Sequence, residues 1–196
     1  MRILLLTLGL SGILAATPAT AGLVAQATLT SAPDVDGTDF DYTIVLKNTT
    51  ASDNTIGTFW FAWVPGEDFM LNMPISTTNP SGWVAALTHA PNIATNGWAI
   101  QWKASSSASY IQVGSSLTFA FKSAETPDQI AGLSPYWDNP PETRSFVYNQ
   151  APFSAVSEQF DVTVATPEPT TILSAALGAV GFGLIVYRRK HAQTKN

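Results

Sequence analysis

Phe40, Tyr42, Ile44 and Leu46 alternate with Asp41, Thr43, Val45 and Lys47. A period of two places one set on each side of a strand, so this segment must lie in a sheet with one face buried and the other wet. Similar segments recur along the chain, and the pattern predicts strands at Leu23–Thr30, Phe40–Asn48, Gly57–Val64, Gly82–Thr88, Gly97–Lys103, Ser116–Lys122, Thr143–Tyr148 and Gln159–Ala165. Turns rich in Gly, Pro, Asn, Asp and Ser separate them. Thr126-Pro127-Asp128-Gln129 is suited to one short helical turn, with Thr126 as N-cap and Pro127 in the first helical position. Several short strands without a convincing amphipathic helix point to an all-β, antiparallel β-sandwich, immunoglobulin-like or jelly-roll.

The two ends of the 196-residue chain follow other rules. Met1 and Arg2 precede the apolar stretch from Ile3 to Ala16, and Ala19-Thr20-Ala21 ends it with small residues at alternate positions. This is the form of a signal peptide over residues 1–21, cut by signal peptidase before Gly22. At the other end, Ile172 to Tyr187 is an uncharged run of 16 residues, about 24 Å long as a helix and close to the lower limit for a bilayer core. Pro167-Glu168-Pro169 bounds it on one side and Arg188-Arg189-Lys190 on the other. Basic residues stay cytoplasmic, so the expected topology is one C-terminal transmembrane helix in the inner membrane, with the body outside.

The body, residues 22–166, contains thirteen acidic residues against four basic ones, Lys47, Lys103, Lys122 and Arg144, a net charge of −9. Such a surface repels phosphate backbones, so nucleic acid is not an expected partner. With no cysteine in the chain, a thiol nucleophile, a thiolate zinc site and a disulfide framework are all excluded.

The tail of residues 167–196, in which Pro167-Glu168-Pro169, an apolar helix and Arg188-Arg189-Lys190 follow in order, resembles the PEP-CTERM sorting signal of Gram-negative bacteria. The resemblance implies recognition by an exosortase, a membrane-embedded cysteine protease-transpeptidase, then cleavage near the motif and delivery to the cell surface or the exopolysaccharide matrix.

Chemistry inside the body is sparse. Asp34, Asp36 and Asp39 bring three carboxylates within six residues and are candidate calcium ligands. The full loop pattern fails, because position twelve, where a bidentate Glu belongs, is Val45, and an Asp-Gly turn before a strand is the preferred reading of the segment. All six tryptophans, Trp60, Trp63, Trp83, Trp98, Trp102 and Trp137, fall in the body. In Phe59-Trp60-Phe61-Ala62-Trp63-Val64 both faces are apolar, as in a central strand, and Trp98, Ile100 and Trp102 share one face suited to the core. Trp83 and Trp137 stand beside Gly and Pro, which makes them the candidates for a sugar platform. His89 is the body's single histidine, no Gly-x-Ser-x-Gly elbow surrounds any serine, and Glu67-Asp68 are adjacent carboxylates in a loop. Asn48-Thr49-Thr50 matches an N-glycosylation pattern by sequence alone. The expectation is a non-enzymatic, cofactor-free structural or adhesive protein of the surface or biofilm matrix; the alternative is a polysaccharide-binding module whose partner is exopolysaccharide.

Overall fold

The computed structural model describes residues 22–89, 97–133 and 142–165. The described chain is mostly β, and its strands are β1 (Ala25–Pro33), β2 (Phe40–Asn48), β3 (Thr58–Phe61), β4 (Trp63–Val64), β5 (Glu67–Asp68), β6 (Ser76–Thr78), β7 (Trp83–His89), β8 (Trp98–Ala104), β9 (Ser116–Ser123), β10 (Glu142–Tyr148) and β11 (Ser157–Val164). Nine of them form one sheet in the order β6-β9-β2-β1-β11-β10-β3-β8-β7. Every neighbouring pair is antiparallel except β1 and β11, which run parallel with Ala27 opposite Val162.

The alternation in β2 is realised as expected: Tyr42, Ile44 and Leu46 are fully buried while Asp41, Val45 and Lys47 face solvent. Ring contacts place the core. Phe119 of β9 lies 5.4 Å from Phe59 of β3 and 5.1 Å from Trp102 of β8, and Phe121 lies 5.2 Å from Phe61. None of these strands is a hydrogen-bonded neighbour of β9. The sheet therefore bends back on itself, so that β6-β9-β2-β1 and β11-β10-β3-β8-β7 close over one aromatic core.

The expected strand Gly57–Val64 is not continuous. Ala62 adopts φ 59°, a left-handed conformation uncommon for a residue with a β-carbon, and the ladder stops at Phe61. Trp63 and Val64 pair instead with Asp68 and Glu67 in a two-stranded ribbon around Pro65-Gly66. Gly66 has φ 94°, as the third position of a type II turn requires after a proline. Glu67 and Asp68 thus lie in a strand, not in the loop expected for them, and adjacent strand positions aim the two carboxylates to opposite faces. Gly97 allows β8 to start against this ribbon, because a β-carbon there would come 2.1 Å from the Asp68 carbonyl oxygen.

Strand β6 has only three polar residues and carries no periodic signal, which is why the sequence does not reveal it. The turn at Thr126 forms as expected: the Gln129 N–H donates to Thr126 Oγ1 at 3.3 Å and the Thr126 N–H donates to Gln129 Oε1 at 2.9 Å, a reciprocal cap. Among the described residues no helix is long and apolar enough to cross a membrane. The run Ile172–Tyr187, the sorting residues Pro167, Glu168 and Pro169, the basic residues Arg188, Arg189 and Lys190, and Ala19 and Ala21 of the cleavage site lie outside the described residues. Gly22 is the first described residue, and its carbonyl accepts the Asp53 N–H at 3.3 Å.

Candidate functional site

The outer face of β10-β3-β8 carries a second aromatic group, separate from the core. Pairing across the three strands sets Gln101, Trp60 and Phe146 side by side, and Gln159 of β11 follows Phe146. Phe59 and Phe61 point inward, so Trp60 must point outward. The left-handed turn at Ala62 then brings Trp63 back over Trp60, with the rings stacked at 4.3 Å and 23°. Phe153, from the segment joining β10 to β11, stacks on Trp60 at 5.8 Å. Phe146 meets Trp63 edge-on at 5.7 Å and 88°, and Tyr148 meets Phe153 at 5.3 Å and 86°.

Trp60 is 5% exposed, whereas Trp63 and Phe146 are half-buried and Phe153 is 54% exposed. The surface thus has a covered centre and open aromatic faces around it. Among the described residues the buried Trp60 Nε1 has no hydrogen-bond acceptor, an uncommon state for an indole N–H. Gln101 and Gln159 flank the rings. Apolar rings beside a few polar donors and acceptors form a surface suited to a partner with C–H faces and hydroxyl edges, which is the chemistry of a sugar ring.

Trp83, expected on an exposed platform, is instead 4% exposed. Its place in β7 aims it inward, edge-on to Phe119 at 5.2 Å and 81°, and its Nε1 donates to the Ser109 carbonyl at 2.9 Å. The adjacent Gly82 forms the turn but does not expose the ring. Trp137 lies outside the described residues.

The calcium candidate is also corrected. Asp34 Oδ1 accepts the Val35 N–H and Oδ2 accepts Lys122 Nζ, both at 2.6 Å. The hydrogen bond from Lys122 chiefly, and that from Val35, hold the Asp34 carboxyl below its ordinary pKa. Backbone bonds from Asp34 to Asp39 and from Gly37 to Asp34 close the segment as a turn. Asp34, Asp36 and Asp39 do not converge, and no group of three or more potential metal ligands occurs among the described residues.

His89 stacks on Trp98 with ring centres 4.4 Å apart. Asn48 is fully buried, and its Nδ2 donates to the carbonyls of Asn54 at 2.8 Å and Ile111 at 3.0 Å, so this side chain is a structural tie closed to glycosylation. Glu125 is likewise buried. One oxygen accepts the Asn72 N–H at 2.7 Å, the other has no partner among the described residues, and burial pushes its pKa up.

Sequence reasoning missed the outer aromatic group because it assigned Trp60 and Trp63 to the core of one strand. The available signal lay on β10, where Phe146 and Tyr148 alternate with Ser145 and Val147 and so give that strand an aromatic outer face. No family model matches the chain, and no curated protein or solved structure is significantly similar to it.

Proposed function

We propose that the chain is a non-enzymatic protein of the cell surface or exopolysaccharide matrix. It is exported by residues 1–21, held in the inner membrane by Ile172–Tyr187 with its body outside, and cut by an exosortase near Pro167-Glu168-Pro169. The observation that carries this reading is the agreement of the two ends: the signal peptide and the basic stop at Arg188-Arg189-Lys190 independently call for the same orientation. We assign the body to an immunoglobulin-like sandwich rather than a jelly roll. The parallel pairing of its first strand with its last supports that choice, since jelly rolls are built from antiparallel Greek keys. Its role is structural or adhesive. The test is the intact mass of the protein recovered from envelope and medium of the native host, with and without an exosortase gene. A wild-type species that keeps residues 172–196 overturns the sorting part of the proposal.

A second reading is favoured by the aromatic surface: binding of polysaccharide across Trp63 and Phe153. The net charge of −9 directs this toward neutral polymers, because anionic ones are repelled. Retention on immobilised neutral polysaccharides should fall at least about tenfold in Trp63→Ala/Phe153→Ala, as expected when two stacking rings are lost. Unchanged retention in a folded variant removes the surface from consideration.

A further inference from the structure

The nine-stranded sheet has two edges, and they differ. Strand β6 is three residues long and runs into Asn79-Pro80, a short edge stopped by proline. Such features keep an edge from pairing with other chains. Strand β7 has none of them. Its seven residues, Trp83 to His89, contain no proline, glycine, lysine or acidic residue. Val84 is 42% and Leu87 38% exposed.

The hydrogen-bond phase of β7 settles which backbone groups face away from the sheet. Trp83 stands opposite Ala104, yet the Trp83 N–H donates to the Pro80 carbonyl and the Ala104 N–H to the Gly57 carbonyl, while the Ser105 N–H donates to Gly82. Trp83 and Ala104 are therefore a pair that exchanges no bonds. By antiparallel alternation, the exchanging pairs are Val84 with Lys103, Ala86 with Gln101 and Thr88 with Ala99. The N–H and C=O groups of Ala85 and Leu87 point outward, where no further strand lies beside them among the described residues.

We propose that β7 pairs antiparallel with β7 of a second copy of this chain, about a two-fold axis at Ala86. Only outward residues can exchange bonds, and the register that overlaps the strand over its full length sets Ala85 opposite the second copy's Leu87 and Leu87 opposite its Ala85. Each of these two pairs exchanges two hydrogen bonds. On the core side, small Ala85 leaves room for Leu87, so the contact covers an exposed leucine that is otherwise left at the end of the core. On the outer side, Ala86 meets Ala86 in the closer, non-bonded type of pair. A second copy is also the occupant that the charge selects. Strand β7 offers no counterion to a charged partner strand, and a second β7 brings no charge to be buried uncompensated. The net charge of −9 on each body opposes association at long range, so pairing should strengthen as salt rises to physiological strength, where the screening length is about 8 Å.

The cysteine-free chain provides a register-specific test. Facing α-carbons in a non-bonded antiparallel pair lie about 4.5 Å apart, within disulfide reach. The full chain carrying Ala86→Cys, exported into an oxidising compartment and run on a non-reducing gel, should form a disulfide-linked dimer at least about tenfold more abundant than that of Val84→Cys, whose partner in this register is Thr88. Adding Leu87→Pro to the Ala86→Cys chain should abolish the dimer without unfolding the sheet, because the lost N–H is one that points away from β8. Leu87→Lys, which keeps that N–H but places a charge in the contact, should weaken the dimer as well. Folding of each variant is checked by tryptophan fluorescence. A monomeric Ala86→Cys chain, equal cross-linking by Val84→Cys, or a dimer that survives Leu87→Pro and Leu87→Lys in folded protein overturns the proposal.

Discussion

Two buried polar residues carry more of the fold than their chemistry suggests. Glu125 has one oxygen engaged by the backbone of the 71–72 segment and the other without a partner among the described residues, in a site fully closed to water. Burial raises its pKa above the ordinary carboxylate value, and a carboxyl raised on folding contributes stability that is fully present below its unfolded pKa and lost as pH rises through the folded one. Glu125→Gln removes that dependence while keeping the acceptor for Asn72. The melting temperatures of the two proteins should therefore coincide near pH 4, and the variant should melt higher by about 3 °C near pH 7. A difference that shrinks toward neutral pH contradicts this. At Asn48 the expectation is opposite in sign. Its amide ties the carbonyls of Asn54 and Ile111, and Asn48→Ala takes the side-chain donor from both, leaving Ile111 with the Ile56 N–H alone, a loss of about 2 kcal/mol measurable by urea unfolding. Neither role was legible in the sequence, where Asn48 reads as a glycosylation pattern and Glu125 as one of many acids, because burial of a polar side chain depends on segments distant in the chain.

At the scale of elements, legibility follows the length of the periodic run. Strand β2, with nine alternating residues, has the bounds that its pattern predicts, and β9 extends one residue beyond them. Strand β3 is shorter than its pattern predicts, because a single dihedral at Ala62 ends it and nothing in Phe-Trp-Phe-Ala-Trp-Val announces a left-handed alanine. That dihedral also builds the candidate site, since it turns Trp63 onto Trp60. Ala62 is fully buried, and a β-branched residue tolerates this conformation poorly. Ala62→Val should therefore move Trp63 off Trp60 as well as destabilise the protein by about 2 kcal/mol. Two indoles stacked at 4.3 Å couple their transitions, so the folded protein should show a paired positive and negative band in circular dichroism near the indole absorption, lost in Ala62→Val and in Trp63→Phe. If Trp63→Phe keeps the band, the stack is not its source. Trp83 departs from expectation for the same kind of reason: the sequence announces the turn at Gly82, whereas the face of β7 that meets the core is decided by its register with β8.

Over the whole molecule, the order of strands was the least legible feature, because the pairing that joins the two halves sets Ala27 against Val162, about 135 positions away. No local pattern encodes such a contact, and closing it late in folding is slow. The same contact predicts how the protein unfolds. Phe119 of one half touches Phe59 and Trp102 of the other, so neither half retains a complete core once they separate. With no disulfide in the chain to hold a half together, the described body should unfold in one cooperative step. Backbone circular dichroism and tryptophan fluorescence, followed through the same urea titration, should give one midpoint. Chelator should leave it in place, since the acidic turn at Asp34 to Asp39 is closed by Lys122 and backbone bonds. Phe119→Ala should shift both signals together, by about 4 kcal/mol, because it opens a cavity between the halves rather than inside one of them. If the fluorescence midpoint separates from the backbone midpoint in that variant, the two halves hold independent cores and the single folded sheet is the wrong description of how this chain stays together.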